Sequence, residues 1–325
     1  MIIVTGGAGF IGSAIIAGLN VRGIDDILIV DALGSDEKWK NLRGLRYADY
    51  VEVDDFFEML AAGEVSWEVE AIIHMGACSD TTETDCTFLA SNNYGCSKLL
   101  ANWAAETEIR FIYASSAATY GDGSQGFGDD ESKLGELRPL NMYGYSKHMF
   151  DLWAKRAGLL DSIVGLKYFN VFGPNEYHKG NMRSFVHKAF GQINETGGVK
   201  LFKSYKPEYA DGEQVRDFLY IKDAVDMTLF FLDEPKLAGL YNIGVGKART
   251  WNDLVSATFA AKDKKANIEY IEMPENIRGQ YQYYTQADIT KLRKAGYDGK
   301  ITSLEDSIKD YVRNYLMKNE YLGAE

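Results

Sequence analysis

Tyr143 and Lys147 stand four residues apart in the stretch Leu140-Asn141-Met142-Tyr143-Gly144-Tyr145-Ser146-Lys147, so on a helix both side chains leave from one face. An ammonium beside a phenol favours the phenolate and lowers the tyrosine pKa from its free value of about 10 toward the working pH. That is the property a general base needs. Ser116 follows an apolar strand, FIYAS, and is placed to hydrogen-bond the same substrate oxygen. A Tyr-x-x-x-Lys pair alone is common on helix surfaces. After a dinucleotide fingerprint, and with the serine at a strand end, it indicates a redox site.

The fingerprint is the amino-terminal stretch MIIVTGGAGFIGS, Met1 to Ser13. Ile2, Ile3, Val4 and Thr5 favour a buried strand, and Ile11, Ile15, Ile16 and Leu19 follow a helical period. Between them Gly6, Gly7, Gly9 and Gly12 allow a tight turn, close approach of a pyrophosphate to the helix start, and close helix–strand packing. The second apolar run, Ile27 to Val30, ends in Asp31, nineteen residues beyond Gly12. A carboxylate there hydrogen-bonds an adenosine ribose and, read alone, favours NAD because it repels a 2′-phosphate. Lys38 could supply the opposite charge and admit NADP; taken by itself it reads as a solvated lysine.

The elements that must position these groups alternate between strands and helices. Tyr50 to Val53 reads as a strand, Asp55 to Ala61 as a brief helix, and Ala71 to His74 as a fourth strand ending in MGACSD. Small residues Gly76, Ala77 and Ser79 at a strand's carboxyl end suit the ligand crevice of an open α/β sheet. His74 reads as a satisfied strand-end histidine and not a base. Asp85 to Glu106 reads as one long helix, Phe111 to Ser115 and Ile163 to Tyr168 as strands, and Gly121 to Pro139 as a polar loop. Arg216 to Ile221 reads as a strand, Lys222 to Leu232 as a helix, Ala238 to Ile243 as a strand, and Ile301 to Met317 as an amphipathic helix. The expected fold class is α/β, a Rossmann-type doubly wound parallel sheet with a smaller, interleaved C-terminal α/β domain. Residues 1–170, with 215–244 returning, would hold the dinucleotide; 171–214 and 245–325 would hold the substrate.

Composition narrows the function. The 325 residues carry 35 Lys+Arg against 47 Asp+Glu, a net charge of −12, which disfavours nucleic-acid and acidic-membrane partners. An anionic ligand needs a local basic cluster, and His178-Lys179, Lys203 to Lys206 and Arg216 offer one. No apolar run approaches the ~18 residues of a membrane span. No secretory segment precedes the first strand, so a cytoplasmic protein is expected. Cys78, Cys86 and Cys96 are odd in number without zinc-like spacing, which fits reduced thiols and no metal site.

The set TGGAGFIG, Ser116 with Tyr120-Gly121, Tyr143 with Lys147, and Tyr168-Phe169-Asn170-Val171-Phe172-Gly173-Pro174 resembles the extended short-chain dehydrogenase/reductases that act on nucleotide sugars. His74 to Ser79 with Thr81-Thr82-Glu83, YASSAATY at 113–120, YGYSK at 143–147, His178-Lys179-Gly180 and Tyr284 to Asp288 are similar to the ADP-L-glycero-D-manno-heptose 6-epimerases among them. That resemblance implies a tightly held NADP, oxidation of the exocyclic carbon six of ADP-D-glycero-D-manno-heptose to an aldehyde, and return of the hydride to the opposite face. It also implies lipopolysaccharide core heptose supply and a homo-oligomer, a pentamer in the family.

By the same resemblance Ser116, Tyr143, Lys147 and Lys179 are catalytic, Tyr143 and Lys179 being the two proton-transfer groups. Gly6, Gly9, Phe10, Ile11, Gly12, Asp31, Ala32, Lys38, Met75, Gly76, Ala77, Cys78, Ser79, Asn92, Lys147 and Val171 would line the cofactor. Ser116, Asn170, Asn181, Lys188, Phe202, Lys203, Ser204, Tyr205, Arg216 and Tyr281 would hold the substrate, with Arg216 on the diphosphate. The chain departs from the family pattern at Ala32, where asparagine is usual, and at Val53, where a second lysine often meets the 2′-phosphate. Lys38 is left alone to offset Asp31, which keeps NAD open as the cofactor. The 205–214 loop is longer than the family's. A UDP-hexose 4-epimerase is the alternative within the enzymes. A dehydratase would carry an acidic pair where Ala117 and Ala118 stand. A non-catalytic dinucleotide-sensing protein has no need of Tyr143 and Lys147 on one helical face.

Overall fold

The computed structural model describes residues 1–278 and 281–323. Seven parallel strands form one sheet: β1 (Ile2–Thr5), β2 (Ile27–Asp31), β3 (Asp49–Glu52), β4 (Ala71–His74), β5 (Arg110–Ser116), β6 (Val164–Tyr168) and β7 (Gly239–Ile243). Their order is β7-β6-β5-β4-β1-β2-β3. Val4 pairs with Ile29 on one side and Ile73 on the other, so β1 is an inner strand. The chain winds outward in one direction from β1 to β3 and in the other from β4 to β7. The switch point between β1 and β4 opens a crevice at their carboxyl ends, where such sheets take ligands.

Strand alternation sends Ile2, Val4, Ile27, Ile29 and Ile73 to one face and Ile3, Leu28, Val30, Ile72 and Phe111 to the other. On the first face lie helices α1 (Phe10–Val21) and, completing the layer, α5 (Ile221–Asp233). On the second lie α2 (Val53–Ala62), α3 (Cys96–Glu106) and α4 (Met142–Arg156), burying Phe56, Leu100, Ala104, Phe150 and Ala154. Both faces being covered explains why the strands read as continuous apolar runs. The α1 and α5 axes approach closely because Gly18 has no Cβ; one would sit 2.6 Å from Val225 Cγ1.

The remaining segments form short two-stranded pairs. Asn170–Phe172 pairs with Phe218–Tyr220, Val215–Arg216 with Arg249–Thr250, and Val199–Phe202 with Ile268–Ile271. The strand read as Arg216 to Ile221 is interrupted at Asp217, whose buried carboxylate accepts backbone N–H groups of Val245 (2.7 Å), Gly246 (2.9 Å) and Ala287 (3.0 Å). The segment read as one helix over Asp85 to Glu106 contains a π-helical stretch, Ala90–Gly95, between Cys86–Leu89 and α3. A second π stretch, Tyr311–Leu316, follows the helix Leu304–Asp310 where one continuous helix is expected. Such irregular turns concentrate at functional sites. Among the described residues no helix is long and apolar enough to cross a membrane, and no cluster of side chains is arranged to hold a metal ion. The three cysteines are free thiols.

Candidate active site

The glycine turn is built without room for side chains. Gly6 has φ +64°, and a Cβ there would lie 2.7 Å from Gly76 N; one at Gly12 would lie 2.1 Å from Gly6 O. The turn therefore presses against the loop after β4 while the start of α1 presses against the turn. This cradle brings Gly6, Gly9, Phe10, Ile11, Gly12 and Gly76 together and leaves backbone N–H groups at a helix start for a diphosphate. Asp31 closes the cradle, its Oδ2 accepting from Ala8 N at 2.8 Å and its Oδ1 from Ala32 N at 2.7 Å. Lys38 is not the solvated lysine that its position alone suggests: its Nζ lies 2.8 Å from Asp31 Oδ1, and its side chain is only 18% exposed. A partly buried lysine and a buried carboxylate thus form an ion pair that spacing alone does not reveal.

His74 is held on both ring nitrogens, 2.6 Å from Thr5 Oγ1 and 2.8 Å from Ser97 Oγ. Thr5 Oγ1 also accepts Gly76 N, and Ser97 Oγ donates to Asn93 O. Those partners assign the proton to Nε2 and leave Nδ1 an acceptor. Burial, with the Lys147 charge nearby, depresses the imidazole to about 3, so it stays neutral. The strand-end histidine is thus structural. Its hydrogen-bond chain ends on Asn93, fully buried, whose Oδ1 accepts Cys78 N and whose Nδ2 donates to Cys78 O, both at 2.9 Å. Asn93 thereby shapes the Met75–Ser79 loop, while Asn92 beside it donates to Asn93 Oδ1. Met75 Sδ accepts a long contact from Tyr168 OH, and Val171 pairs with Leu219 at the crevice edge.

Ser116 ends β5, and Tyr143 and Lys147 occupy the first turns of α4. Asn141 caps that helix by accepting Gly144 N at 2.8 Å. Gly144 lets the helix close on the Ala117–Tyr120 turn; a Cβ would meet Ala118 O at 2.8 Å. This places the Ser116 hydroxyl beside the Tyr143 phenol. Here the structure corrects the sequence expectation. The Tyr143 pKa is raised, not lowered: burial pushes it up, and the Ser116 hydroxyl offsets part of the rise. Lys147 is 4% exposed, and burial brings it down to about 8, with Asp151 one turn on opposing that fall. The low dielectric that disfavours the ammonium also disfavours the phenolate.

Asp151 anchors α4. It accepts from Tyr113 OH (2.9 Å), Ser115 Oγ (2.8 Å) and Lys167 Nζ (2.7 Å), and Lys167 also donates to Thr119 Oγ1. Both ends of this ion pair are inaccessible to water.

Lys179 belongs to a turn, Tyr177–Met182, on the opposite layer from α4, with its Nζ 5.6 Å from the centre of the Phe10 ring. The turn and the two residues before it are tied to distant segments. Asn175, at φ +77°, donates to Ser13 Oγ and accepts Leu322 N. Glu176, 1% exposed, accepts from Ser184 Oγ (2.6 Å), Ser184 N and Tyr311 OH (2.9 Å). His178 Nδ1 lies 3.3 Å from Asn41 Nδ2, which also donates to Ala8 O and so links this turn to the glycine cradle. Gly180, at φ +52°, lets the chain leave the turn. Asn41, Asn93, Glu176 and Asp217 were not legible as site residues, because their partners come from distant segments.

On the substrate side Arg216 is buried with no carboxylate partner among the described residues. It donates to Val215 O and Gln282 O and stacks between Trp251 and Tyr281, 5.6 Å and 5.3 Å from their ring centres. A buried guanidinium without a counter-ion suits an anionic ligand. Asn170 Oδ1 lies 3.4 Å from Thr285 Oγ1. Asn181 and Lys188 are exposed beside the Lys179 turn. Lys203 and Tyr205 are directed elsewhere: both engage Glu272, and Arg278 covers the Tyr205 ring at 4.0 Å. Phe202 ends its strand, and Ser204 N donates to Asp211 Oδ1.

Residues 2–244 match the family model for the NAD dependent epimerase/dehydratase family. The chain is 57% identical over 316 residues to the ADP-L-glycero-D-manno-heptose-6-epimerase of Nitratidesulfovibrio vulgaris (strain DP4), covering 97% of this chain and 98% of the relative. It is 53% identical to the Fusobacterium nucleatum protein of the same name, covering 98% and 99%. Among solved structures it is similar to Helicobacter pylori ADP-L-glycero-D-manno-heptose-6-epimerase, with TM-score 0.81, 28% identity, and 96% and 95% of the two chains covered. A nicotinamide dinucleotide is the cofactor that the glycine cradle fits. With a glycine cradle, a Ser-Tyr-Lys set and relatives matched over nearly their whole length, this chain belongs to the NAD dependent epimerase/dehydratase family, on the branch of the ADP-L-glycero-D-manno-heptose-6-epimerases.

Proposed function

We propose that this protein interconverts ADP-D-glycero-D-manno-heptose and ADP-L-glycero-D-manno-heptose by transient oxidation at carbon six, supplying heptose for lipopolysaccharide. The observation that carries the reading is the placement of Tyr143 and Lys179. Tyr143 starts a helix on one face of the sheet, and Lys179 packs on Phe10 at the start of a helix on the other. Inverting an alcohol carbon requires proton transfer to two orientations of one oxygen, and groups from opposite layers supply it.

A nicotinamide dinucleotide held in the glycine cradle would supply the acceptor for the carbon-six hydride and the donor that returns it. Gly6, Gly9 and Gly12 would admit its diphosphate, and Asp31 and Lys38 would meet the adenosine ribose. Met75 to Ser79, Asn92, Lys147 and Val171 line the path toward Ser116. Arg216 holds the sugar's diphosphate between Tyr281 and Trp251, and Asn170, Asn181 and Lys188 meet the heptose. One of Tyr143 and Lys179 removes the O6 proton as the carbon–hydrogen bond breaks. Carbon six hangs from the pyranose by a single bond, so its carbonyl rotates while the ADP group stays anchored. The other group then protonates the oxygen as the new carbon–hydrogen bond forms on the opposite face. Ser116, beside the Tyr143 phenol, hydrogen-bonds that oxygen when it faces Tyr143. NADP is the favoured dinucleotide, because Lys38 already offsets Asp31. Residues 171–214 and 245–325 act as the substrate-binding unit of a cytoplasmic homo-oligomer.

Purified protein should epimerise ADP-D-glycero-D-manno-heptose with no cofactor added. Turnover with UDP-galactose alone would overturn the reading in favour of a 4-epimerase.

A further inference from the structure

Glu176 is a carboxylate held away from water, next to the site yet outside the chemistry described above. It lies in the turn that carries Lys179, whose backbone N–H donates to Glu176 O at 3.1 Å. It also sits at the amino end of the helix Phe185–Thr196, which carries Lys188, and accepts both the backbone N–H and the hydroxyl of that helix's cap, Ser184. Its third donor, Tyr311, arrives 135 residues later from the π-helical stretch Tyr311–Leu316. With a longer contact from Gly173 N at 3.5 Å it has four donors, and these and the helix amino terminus favour the ionised form. Yet among the described residues neither Lys179 nor Lys188 has a carboxylate within 4.0 Å. One buried negative charge thus stands behind two lysines that remain free to meet a ligand.

We infer that Glu176 is a positioning residue of this site: its buried carboxylate is the shared counter-charge that keeps Lys179 and Lys188 in place and charged without ion-pairing either. The inference rests on the reading that Lys179 transfers a proton. Burial lowers the pKa of Lys179, partial burial that of the more exposed Lys188, and the Glu176 charge opposes part of each fall. Conversely burial holds the Glu176 carboxyl above its ordinary value, and Ser184, Tyr311 and the Lys179 ammonium offset part of that rise. Other charged or titratable groups at this corner are His178 in the same turn, Asp31, Asp36 and Lys38 from the β2 loop, and Arg183 and His187 at the start of the next helix. At Lys179 the Glu176 charge is the one that opposes burial.

The test is competitive acetylation of the purified protein with acetic anhydride across pH, reading the Lys179 peptide by mass spectrometry. Glu176→Gln should lower the Lys179 midpoint by about one pH unit or more, and Glu176→Asp should restore most of it. Because coupling is reciprocal, Lys179→Met should raise the Glu176 midpoint seen by carboxyl 13C NMR. That measurement decides the matter even if Glu176→Gln fails to fold. An unmoved Lys179 midpoint in a folded Glu176→Gln, or an unmoved Glu176 midpoint in Lys179→Met, overturns the inference. Epimerisation at the wild-type rate by Lys179→Met would instead overturn the proton-transfer reading, leaving the two midpoints to judge the counter-charge.

Discussion

Lys38 Nζ lies 2.8 Å from Asp31 Oδ1, while the other oxygen of Asp31 accepts the Ala8 N–H of the glycine turn. The lysine proposed to meet a 2′-phosphate is therefore linked through Asp31 to the glycine turn. Lys38→Ala leaves Asp31 with its two backbone donors and no cation beside it. The ratio of NADP to NAD retained through purification should fall about tenfold, or ~1.4 kcal/mol. Mass spectrometry of the dinucleotide released on denaturation reads this directly, and an unchanged ratio would remove Lys38 from cofactor selection.

Lys147 titrates near 8 because it is buried, against roughly 10.4 for a free lysine. Between those values the folded protein binds fewer protons than the unfolded one, so this group makes stability rise with pH through that window. The ammonium that would hold the nicotinamide ribose is lost over the same range. Dinucleotide capture by stripped protein should weaken as pH passes 8, measured by fluorescence titration. In Lys147→Arg that basic limb should disappear, since guanidinium stays charged.

The Asp151–Lys167 pair is fully buried and positions the helix that carries Tyr143 and Lys147. Lys167→Met leaves Asp151 with only the Tyr113 and Ser115 hydroxyls. An uncompensated buried charge costs about 3–5 kcal/mol. Urea denaturation should show that loss, and adding Asp151→Asn should recover a large part of it. Full stability in the single variant would contradict the pair's role.

Two glycines should respond in opposite directions. Gly12→Ala puts a Cβ 2.1 Å from Gly6 O, backbone that cannot move aside, and should abolish dinucleotide retention. Gly191 lies inside the helix Phe185–Thr196 with nothing near a new Cβ. Gly191→Ala should stabilise by about 0.5–1 kcal/mol, seen as a raised denaturation midpoint with activity unchanged.

What the sequence determined by itself was local. The strand–glycine–helix order at Met1 to Ser13, the carboxylate ending β2, and Tyr143 and Lys147 on one helical face are set by backbone geometry over a few residues. The period of apolar side chains placed the seven strands to within a residue or two. Charge states were not legible in spacing. The Tyr143–Lys147 spacing suggests a lowered phenol pKa, but the fold buries the phenol and pushes it up. Lys38 reads as solvated until β2 and the following turn bring it onto Asp31. The tertiary structure alone decided the supports: Thr5, His74, Ser97 and Asn93 in one hydrogen-bonded chain, Asp217 gathering three backbone donors, and Tyr311 on Glu176. Those contacts join residues up to 135 positions apart, and each depends on a low-dielectric interior that exists only once the layers have closed.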